Sequence, residues 1–140
     1  MKTLISIIVL FMMMDTDPLE KYHWKNRILI VFSKQDTLLD KQLQEWQADG
    51  KGLDNRDLVI FTIKKTPEQS KNPDGEAISP ELHQWFLQTY NAPNRDFLVV
   101  LIGKDGGKKL RKTSLLSTEK LFSTIDAMPM RQREMKDDIR

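Results

Sequence analysis

The chain has 140 residues, enough for one sizeable hydrophobic core but not for two, so a single domain is expected. Its 22 basic and 20 acidic residues leave a net charge of +2, which is too small to indicate a nucleic-acid partner. The absence of cysteine excludes disulfides, thiolate nucleophiles and cysteine-ligated metals. The two histidines, His23 and His83, have no third ligand at metal spacing, so neither a metal site nor a cofactor is expected.

Residues 1–18 are interpreted as a signal peptide or N-terminal hydrophobic segment. An uncharged run, Leu4–Met14, follows Lys2 and has the length and flanks of a signal-peptide core. It is too short to cross a bilayer, which takes about 20 apolar residues, so no transmembrane helix is expected. No small-x-small cleavage site follows, and the alternative is a buried N-terminal element of a cytoplasmic protein. Export to the periplasm or the medium is the favoured interpretation.

Residues 19–136 are predicted to form the domain, with residues 137–140 as a polar tail. Three continuous apolar runs are typical of strands buried on both faces; they are Ile28–Phe32, Leu58–Ile63 and Phe97–Ile102. The first two strands lack a tight turn between them, which indicates a right-handed parallel crossover. Asp105-Gly106-Gly107 is a turn signal that predicts a hairpin into a fourth strand, Lys108–Lys112.

Three helices are predicted between and after these strands. Asp36 is a candidate N-cap for a helix over residues 37–48, which Gly50 and Gly52 end. Ser79 precedes Pro80 and caps the second helix, and Ser117 opens the third, which stops near Met128 because Pro129 follows. Residues 66–76, rich in proline and charge, are predicted to form a mobile loop.

The resulting order is β-α-β-α-β-β-α, an α/β arrangement with a mixed four-stranded sheet and helices on both faces. It matches the minimal thioredoxin-like fold. Four segments make the resemblance more specific than the fold alone; they are Leu19–Arg27, Arg56-Asp57, Gly103–Gly107 and Ile125–Met135. They resemble a thioredoxin-like family of unknown function, the bacterial branch of a peroxiredoxin-like domain also found in equarin and in sushi-repeat-containing extracellular proteins. The resemblance implies an exported single-domain protein with a suggested oxidoreductase role.

The resemblance gives a structural role to the motif positions Arg27, Arg56, Asp57, Gly103, Lys104, Asp105, Gly106, Gly107, Asp126, Met128, Pro129, Met130, Arg131 and Glu134. Guanidinium groups form forked hydrogen bonds with carboxylates. We therefore expect the motif arginines to pair with Asp57, Asp126 or Glu134. Replacing Arg131 by alanine is then expected to lower the melting temperature.

In a thioredoxin-like fold the chemistry lies where the first strand meets the first helix, here Ser33, Lys34, Gln35 and Asp36. No cysteine stands there, and a serine nucleophile needs a positioned base that neither histidine supplies in sequence. A second landmark of the fold is a cis-proline before the third strand, and Pro93 occupies about that place. Pro93 and Arg95 with the Ser33–Asp36 junction form a candidate ligand or peptide-binding edge; the alternative is an ordinary trans proline that ends a helix.

The glycines and lysines of Gly103–Lys108 do not have the spacing of a phosphate loop, so a hairpin turn is expected. The basic residues of the C-terminal half either form a surface for anions or lipid headgroups or are a solvated face; they are Lys104, Lys108, Lys109, Arg111, Lys112, Arg131, Arg133 and Lys136.

Two main classes of function are compatible with the sequence. The first is a non-catalytic binding or interaction module whose partner is a cell-envelope protein or peptide. The second is a peroxiredoxin-like oxidoreductase, which the absence of cysteine disfavours because a thiolate is the nucleophile of that chemistry. Binding of anions or a membrane surface through the basic C-terminal half is a third.

Overall fold

The computed structural model describes residues 17–92 and 95–139. Its centre is a four-stranded sheet with the strand order β2-β1-β3-β4. The strands are β1 (Arg27–Ser33), β2 (Leu58–Ile63), β3 (Phe97–Ile102) and β4 (Lys108–Lys112). β1 is parallel to β2 and antiparallel to β3, which is antiparallel to β4. The predicted mixed sheet is confirmed, whereas the run Leu4–Met14 and Pro93 lie outside the described residues.

Every residue of β1 and β3 is buried, whereas β4 is half-buried or exposed. Burial on both faces requires apolar side chains at consecutive positions, and this is why these strands read as continuous apolar runs. The side chains divide into two core clusters, one on each face of the sheet. The sheet therefore forms the middle layer of the domain.

The helices are α1 (Asp36–Gln47), α2 (Gly50–Asn55), α3 (Pro80–Thr89), α4 (Thr118–Asp126) and α5 (Pro129–Ile139). Phe86 of α3 packs in one core cluster, while Trp46 of α1, Leu53 of α2 and Leu121 of α4 pack in the other. Helices thus cover both faces, as predicted.

Two predicted helix starts are confirmed and one is corrected. The hydroxyl oxygens of Ser79 and Ser117 accept the N–H groups of Leu82 and Lys120, each at 3.1 Å. Asp36 is not the N-cap of α1 but its first helical residue, and the N-cap is Gln35, whose side chain makes no capping hydrogen bond.

The glycines after α1 begin a helix instead of ending one. Asp49 caps α2 by accepting the N–H of Gly52 at 2.9 Å, so the chain continues in helical geometry after a single break. A side chain at Gly52 would lie 2.5 Å from the ring of Phe122. Glycine is used here because α4 approaches the backbone closely.

The segment predicted as a mobile loop is joined to the sheet. Lys71 forms isolated antiparallel bridges with Thr62 and with Ala77. The hydroxyl of Ser70, which is fully buried, accepts the N–H of Lys64 and donates to the carbonyl of Thr66. Local backbone hydrogen bonds, rather than apolar burial, therefore order this segment.

The C-terminal region departs from the predicted order by one further helix. Pro129 follows α4 as expected, but it occupies the first turn of α5, where a missing N–H group costs nothing. Residues 137–139, assigned to a polar tail above, continue this helix. Among the described residues, no helix is long and apolar enough to span a membrane.

Candidate functional site

The carboxyl ends of β1 and β2 meet the start of α1 at a cleft that we call the basic cleft. Two adjoining cavities of about 200 Å³ each form it and share the side chains of Ser33, Lys34, Lys64 and Lys65. Arg95 lines one cavity and Asp36 the other. Apolar residues line the first of them, namely Phe32, Ile63, Leu87 and Ala92.

Ser33 stands where the chemistry of this fold is expected, but its hydroxyl is engaged by the neighbouring backbone. The Oγ atom donates to the carbonyl of Gln35 at 2.7 Å and accepts the N–H of the same residue at 3.2 Å. The ring of His83 lies 2.8 Å from the backbone carbonyl of Lys64 and is not hydrogen-bonded to Ser33. No described base contacts Ser33, and the site lacks the activation that a hydroxyl nucleophile requires.

The cleft carries an excess of positive charge. Its four lining cations face one lining carboxylate, that of Asp36, which lies 2.7 Å from the ammonium group of Lys64. Lys65 and Arg95 form no ion pair with a described residue, and both are exposed. The backbone N–H of Lys34 donates to the carbonyl of Asp96 at 3.0 Å and holds the segment before β3 against the end of β1. The arrangement suits an anionic group over an apolar surface.

Lys64 and Lys65 belong to the cleft but were missed in the sequence. A signal for them existed, because they follow β2 directly and parallel neighbouring strands end at the same edge of a sheet. Of the predicted edge, Ser33, Lys34, Asp36 and Arg95 are brought together here. Gln35 is exposed beside them, and Pro93 lies outside the described residues.

The charged motif residues gather at the opposite end of the sheet in what we call the ionic network. Arg27, at the first position of β1, donates from both terminal nitrogens to the carboxylate of Glu134, each at 3.2 Å. The ammonium group of Lys104 lies 2.6 Å from the same carboxylate and 2.8 Å from that of Asp57. Arg27 and Lys104 are both buried, so Glu134 on α5 neutralises two buried charges at this end of the sheet.

The rest of the network centres on Asp126. Arg56 donates to its carboxylate at 2.8 and 3.0 Å, and Arg131 donates to it at 3.1 Å. Arg131 also donates to the side chain of Asn55, and the guanidinium group of Arg56 lies 3.7 Å from the ring centre of Phe122. These contacts join α2, α4 and α5.

The ion pairs lower the pKa of both central carboxyl groups. Burial raises the pKa of Glu134, but hydrogen bonds from Lys104 and Arg27 outweigh it, and the pKa lies below its ordinary value. At Asp126, burial is likewise outweighed by hydrogen bonds from Arg56 and Arg131. Both groups therefore stay ionised at neutral pH and hold the cations around them.

The remaining motif residues shape the β3–β4 turn and its surroundings. Gly106 has a φ of +84°, and a side chain on it would lie 2.7 Å from the ring of His23. Asp105 accepts the N–H of Gly107 at 2.9 Å and pairs with Lys109. A cavity of about 280 Å³ beside the network is lined by residues that include Gly103, Met128, Pro129 and Met130.

The proposed basic surface of the C-terminal half is weaker than the sequence indicates. Lys104 and Arg131 are buried in ion pairs, Lys109 pairs with Asp105, and Arg111 donates to the carbonyl of Tyr90. Cations paired with carboxylates add little to a long-range positive field, and Arg111 is held at a backbone carbonyl. In the described ranges, no three histidine, aspartate or glutamate side chains converge as a metal site would need.

Comparison with solved structures shows that the fold of the protein is thioredoxin-like. The 2-Cys peroxiredoxin of Plasmodium vivax superposes with a TM-score of 0.58 at 15% identity, over 82% of this chain and 84% of that one. The pneumococcal exposed lipoprotein thioredoxin Etrx1 of Streptococcus pneumoniae gives 0.53 at 15% identity, over 79% and 90%. At such identities the likeness shows the fold alone.

The chain belongs to the family described as Domain of unknown function (DUF4174), which it matches over residues 18–134. It is also 30% identical over 120 residues to the sushi repeat-containing protein SRPX of Rattus norvegicus and of Homo sapiens. Those residues are 84% of this chain and 26% of either relative, so the chain spans about a quarter of their length. The resemblance stated from the motifs is thereby confirmed.

Proposed function

We propose that this protein is a non-catalytic binding module that holds an acidic segment of a peptide or protein in the basic cleft. The proposal rests on one observation: the end of β1 carries no cysteine and is surrounded by basic side chains. A thiolate enzyme of this fold needs cysteine there, whereas this chain has none and presents Ser33, whose hydroxyl is held by Gln35. Around it stand cations that include two without an ionic partner among the described residues, Lys65 and Arg95.

The cleft favours a carboxylate next to an apolar side chain. Charge-assisted hydrogen bonds from lysine and arginine to a carboxylate are about twice as strong as neutral ones. The apolar lining gives the neighbouring side chain of the ligand a surface to cover, while the cations are exposed and screened by salt. Binding is therefore expected to weaken as ionic strength rises.

We further propose that the protein acts outside the cytoplasm, in the periplasm or the medium. The support is the apolar run Leu4–Met14 behind Lys2, together with the name of one structural neighbour, an exposed lipoprotein. Fractionation of the expressing bacterium with intact-mass analysis tests this. A mature form that lacks the apolar run supports export, and a full-length cytoplasmic form overturns it.

The binding proposal is tested with fluorescein-labelled peptides titrated by anisotropy. The probe is Glu-Leu-Glu-Leu-Glu-amide with fluorescein on its N-terminal amine through a Gly-Gly linker, and the control peptide carries lysine in place of glutamate. We expect the acidic probe to bind and to lose at least about tenfold in affinity with the double variant Lys65→Glu and Arg95→Glu.

The matched control is the double variant Lys41→Glu and Lys51→Glu, which reverses two exposed charges on α1 and α2 away from the cleft. It is expected to bind the acidic probe like the wild type. Equal losses in the two variants mean that only net charge matters, and this overturns the assignment of the cleft. A peroxide-consumption assay above the buffer rate would overturn the non-catalytic part.

A further inference from the structure

We propose that the outer edge of β2 is a second binding site, which takes a short extended segment of a partner protein as an additional strand. β2 is an edge strand of the sheet, and a groove of about 470 Å³ runs along it. The groove lies between α1 and α2 on one side and residues 71–75 on the other. This site is separate from the basic cleft and shares none of the cleft's lining residues.

On this edge, the backbone of β2 has hydrogen-bonding groups that no described residue engages. The N–H of Arg27 donates to the carbonyl of Asp57, which fixes the odd-numbered residues of β2 as those bonded to β1. The even-numbered residues Leu58, Ile60 and Thr62 therefore direct their N–H and C=O groups outward. Of these, Thr62 exchanges both bonds with Lys71, at 2.8 and 3.0 Å.

The chain itself thus starts a fifth strand and continues it for a single residue. After Lys71 the backbone turns away, since Asn72 accepts the N–H of Gly75 at 3.0 Å and donates to the carbonyl of Glu76 at 2.8 Å. The space beside Leu58 and Ile60 becomes the groove, about 10 Å long for three extended residues. An incoming strand would continue the line of Lys71.

Side chains give the groove its specificity. Leu43, Leu53, Leu58, Ile60 and Pro73 make its walls apolar. Asp54 lies at the Leu58 end and Lys71 at the Thr62 end; both are exposed, and neither forms an ion pair with a described residue. The charges favour a segment with an apolar centre, a basic residue at one end and an acidic residue at the other.

A partner segment fits this edge better than a second copy of the chain. Two copies of β2 paired antiparallel through Leu58 and Ile60 would bring the residues preceding β2 of one copy beside Thr62 of the other. Lys71 already occupies that position. The bridge between Thr62 and Lys71 thus blocks pairing between copies and leaves room for a short strand beside Leu58 and Ile60.

The probe for this site is the peptide Glu-Val-Ile-Val-Lys-amide with fluorescein on its N-terminal amine through a Gly-Gly linker, titrated by anisotropy. In a strand antiparallel to β2, as Lys71 is, its glutamate lies at the Lys71 end and its lysine at the Asp54 end. We expect binding that falls at least about tenfold with Leu43→Lys, which places a charge in the groove wall. The matched control is Leu38→Lys. Leu38 is a half-buried leucine of the same helix that packs on the same core cluster but does not line the groove.

Backbone pairing with β2 can be distinguished experimentally from nonspecific hydrophobic binding. Two N-methylated probes are compared, one modified at the odd-numbered residues and one at the even-numbered residues. Only one of the two is expected to lose binding, because only one edge of a strand faces β2. Equal losses in both sets overturn the strand-addition proposal. Asp54→Lys, at an exposed position, is expected to shift preference toward Glu-Val-Ile-Val-Glu-amide labelled in the same way, and an unchanged preference overturns the role of the end charges.

Sedimentation equilibrium tests whether a second copy of the chain, instead of a partner segment, occupies the edge of β2. A monomer at all concentrations supports the partner segment, whereas a dimer that the peptide dissociates assigns the edge to a second copy and overturns the proposal. Loss of binding to the acidic probe of the basic cleft has no bearing on this site, so the two proposals fail independently.

Discussion

β1 connects two regions that use charge in opposite ways. At its first residue, Arg27 is buried and its charge is neutralised by Glu134. At its last residue, about 20 Å away for seven extended residues, Ser33 adjoins the exposed cations Lys65 and Arg95, which form no ion pair with a described residue. Buried charges destabilise the fold unless they are paired, whereas exposed unpaired cations cost little and are available to a ligand. The first region is therefore assigned to stability and the second to binding.

The strongest way to test this division is to remove the carboxylate of Glu134. With Glu134→Ala, Lys104 keeps only the half-exposed carboxylate of Asp57, and Arg27 keeps the carbonyl of Arg56 but no carboxylate among the described residues. We expect the free energy of unfolding to fall by about 3 kcal/mol, measured by urea denaturation. Glu68→Ala, an exposed loop position without an ion pair in the described structure, is the control. Equal stability of the two variants would contradict the structural role of the network.

Arg131→Ala should have the next largest effect. It removes donors to Asp126 and Asn55, while Arg56 still neutralises Asp126. We expect a loss of about 2 kcal/mol and a lower melting temperature, because hydrogen bonds to charged groups contribute about 1.5–3 kcal/mol. The control is Arg133→Ala, an exposed arginine of the same helix. A melting temperature like that of the control would remove Arg131 from the network.

The pH dependence of stability follows from the same carboxyl groups. Because the pKa of Glu134 and that of Asp126 are lowered in the folded protein, their stabilisation is present above the unfolded values near 4. It is lost as the pH falls through the folded values. We expect the melting temperature to drop as the pH falls below about 4, and less steeply in Glu134→Gln. Parallel curves for the two proteins would show that Glu134 does not contribute.

The smallest effect on stability is expected in the basic cleft. Asp36→Asn removes the ion pair with Lys64, in which the carboxylate is 78% exposed. Exposed pairs of this kind contribute less than about 1 kcal/mol, so the melting temperature should hardly change. Affinity for the acidic peptide should rise, since the one carboxylate among the described lining residues is lost. Unchanged affinity would place the peptide outside the cleft.

The elements that the sequence predicts best are those whose own residues carry the signal. β1 and β3 are within one residue of the predicted runs, because burial on both faces demands consecutive apolar side chains. Ser79 as a cap and Ser117 as a helix start are predicted from residue type, and both hydroxyls accept N–H groups of their own helices. These are local arrangements, visible within a few residues.

Other elements depend on context that lies far away in the chain. Pro129 ends one helix and can equally begin another, and α5 exists because Arg131 and Glu134 find partners on α2, β1 and the turn after β3. Lys104 reads as an exposed lysine next to a hairpin turn. It is buried because two carboxylates, from positions 57 and 134, converge on it.

The sequence alone thus determined the order of strands, the mixed sheet and the exclusion of thiol chemistry, since these follow from local apolar patterns and from composition. Only the tertiary structure decided which charges are buried and which face a ligand. Pairing between residues such as Arg27 and Glu134, 107 positions apart, leaves no local pattern. The same holds for the basic cleft, where the ends of two parallel strands bring Ser33 and Lys64 together.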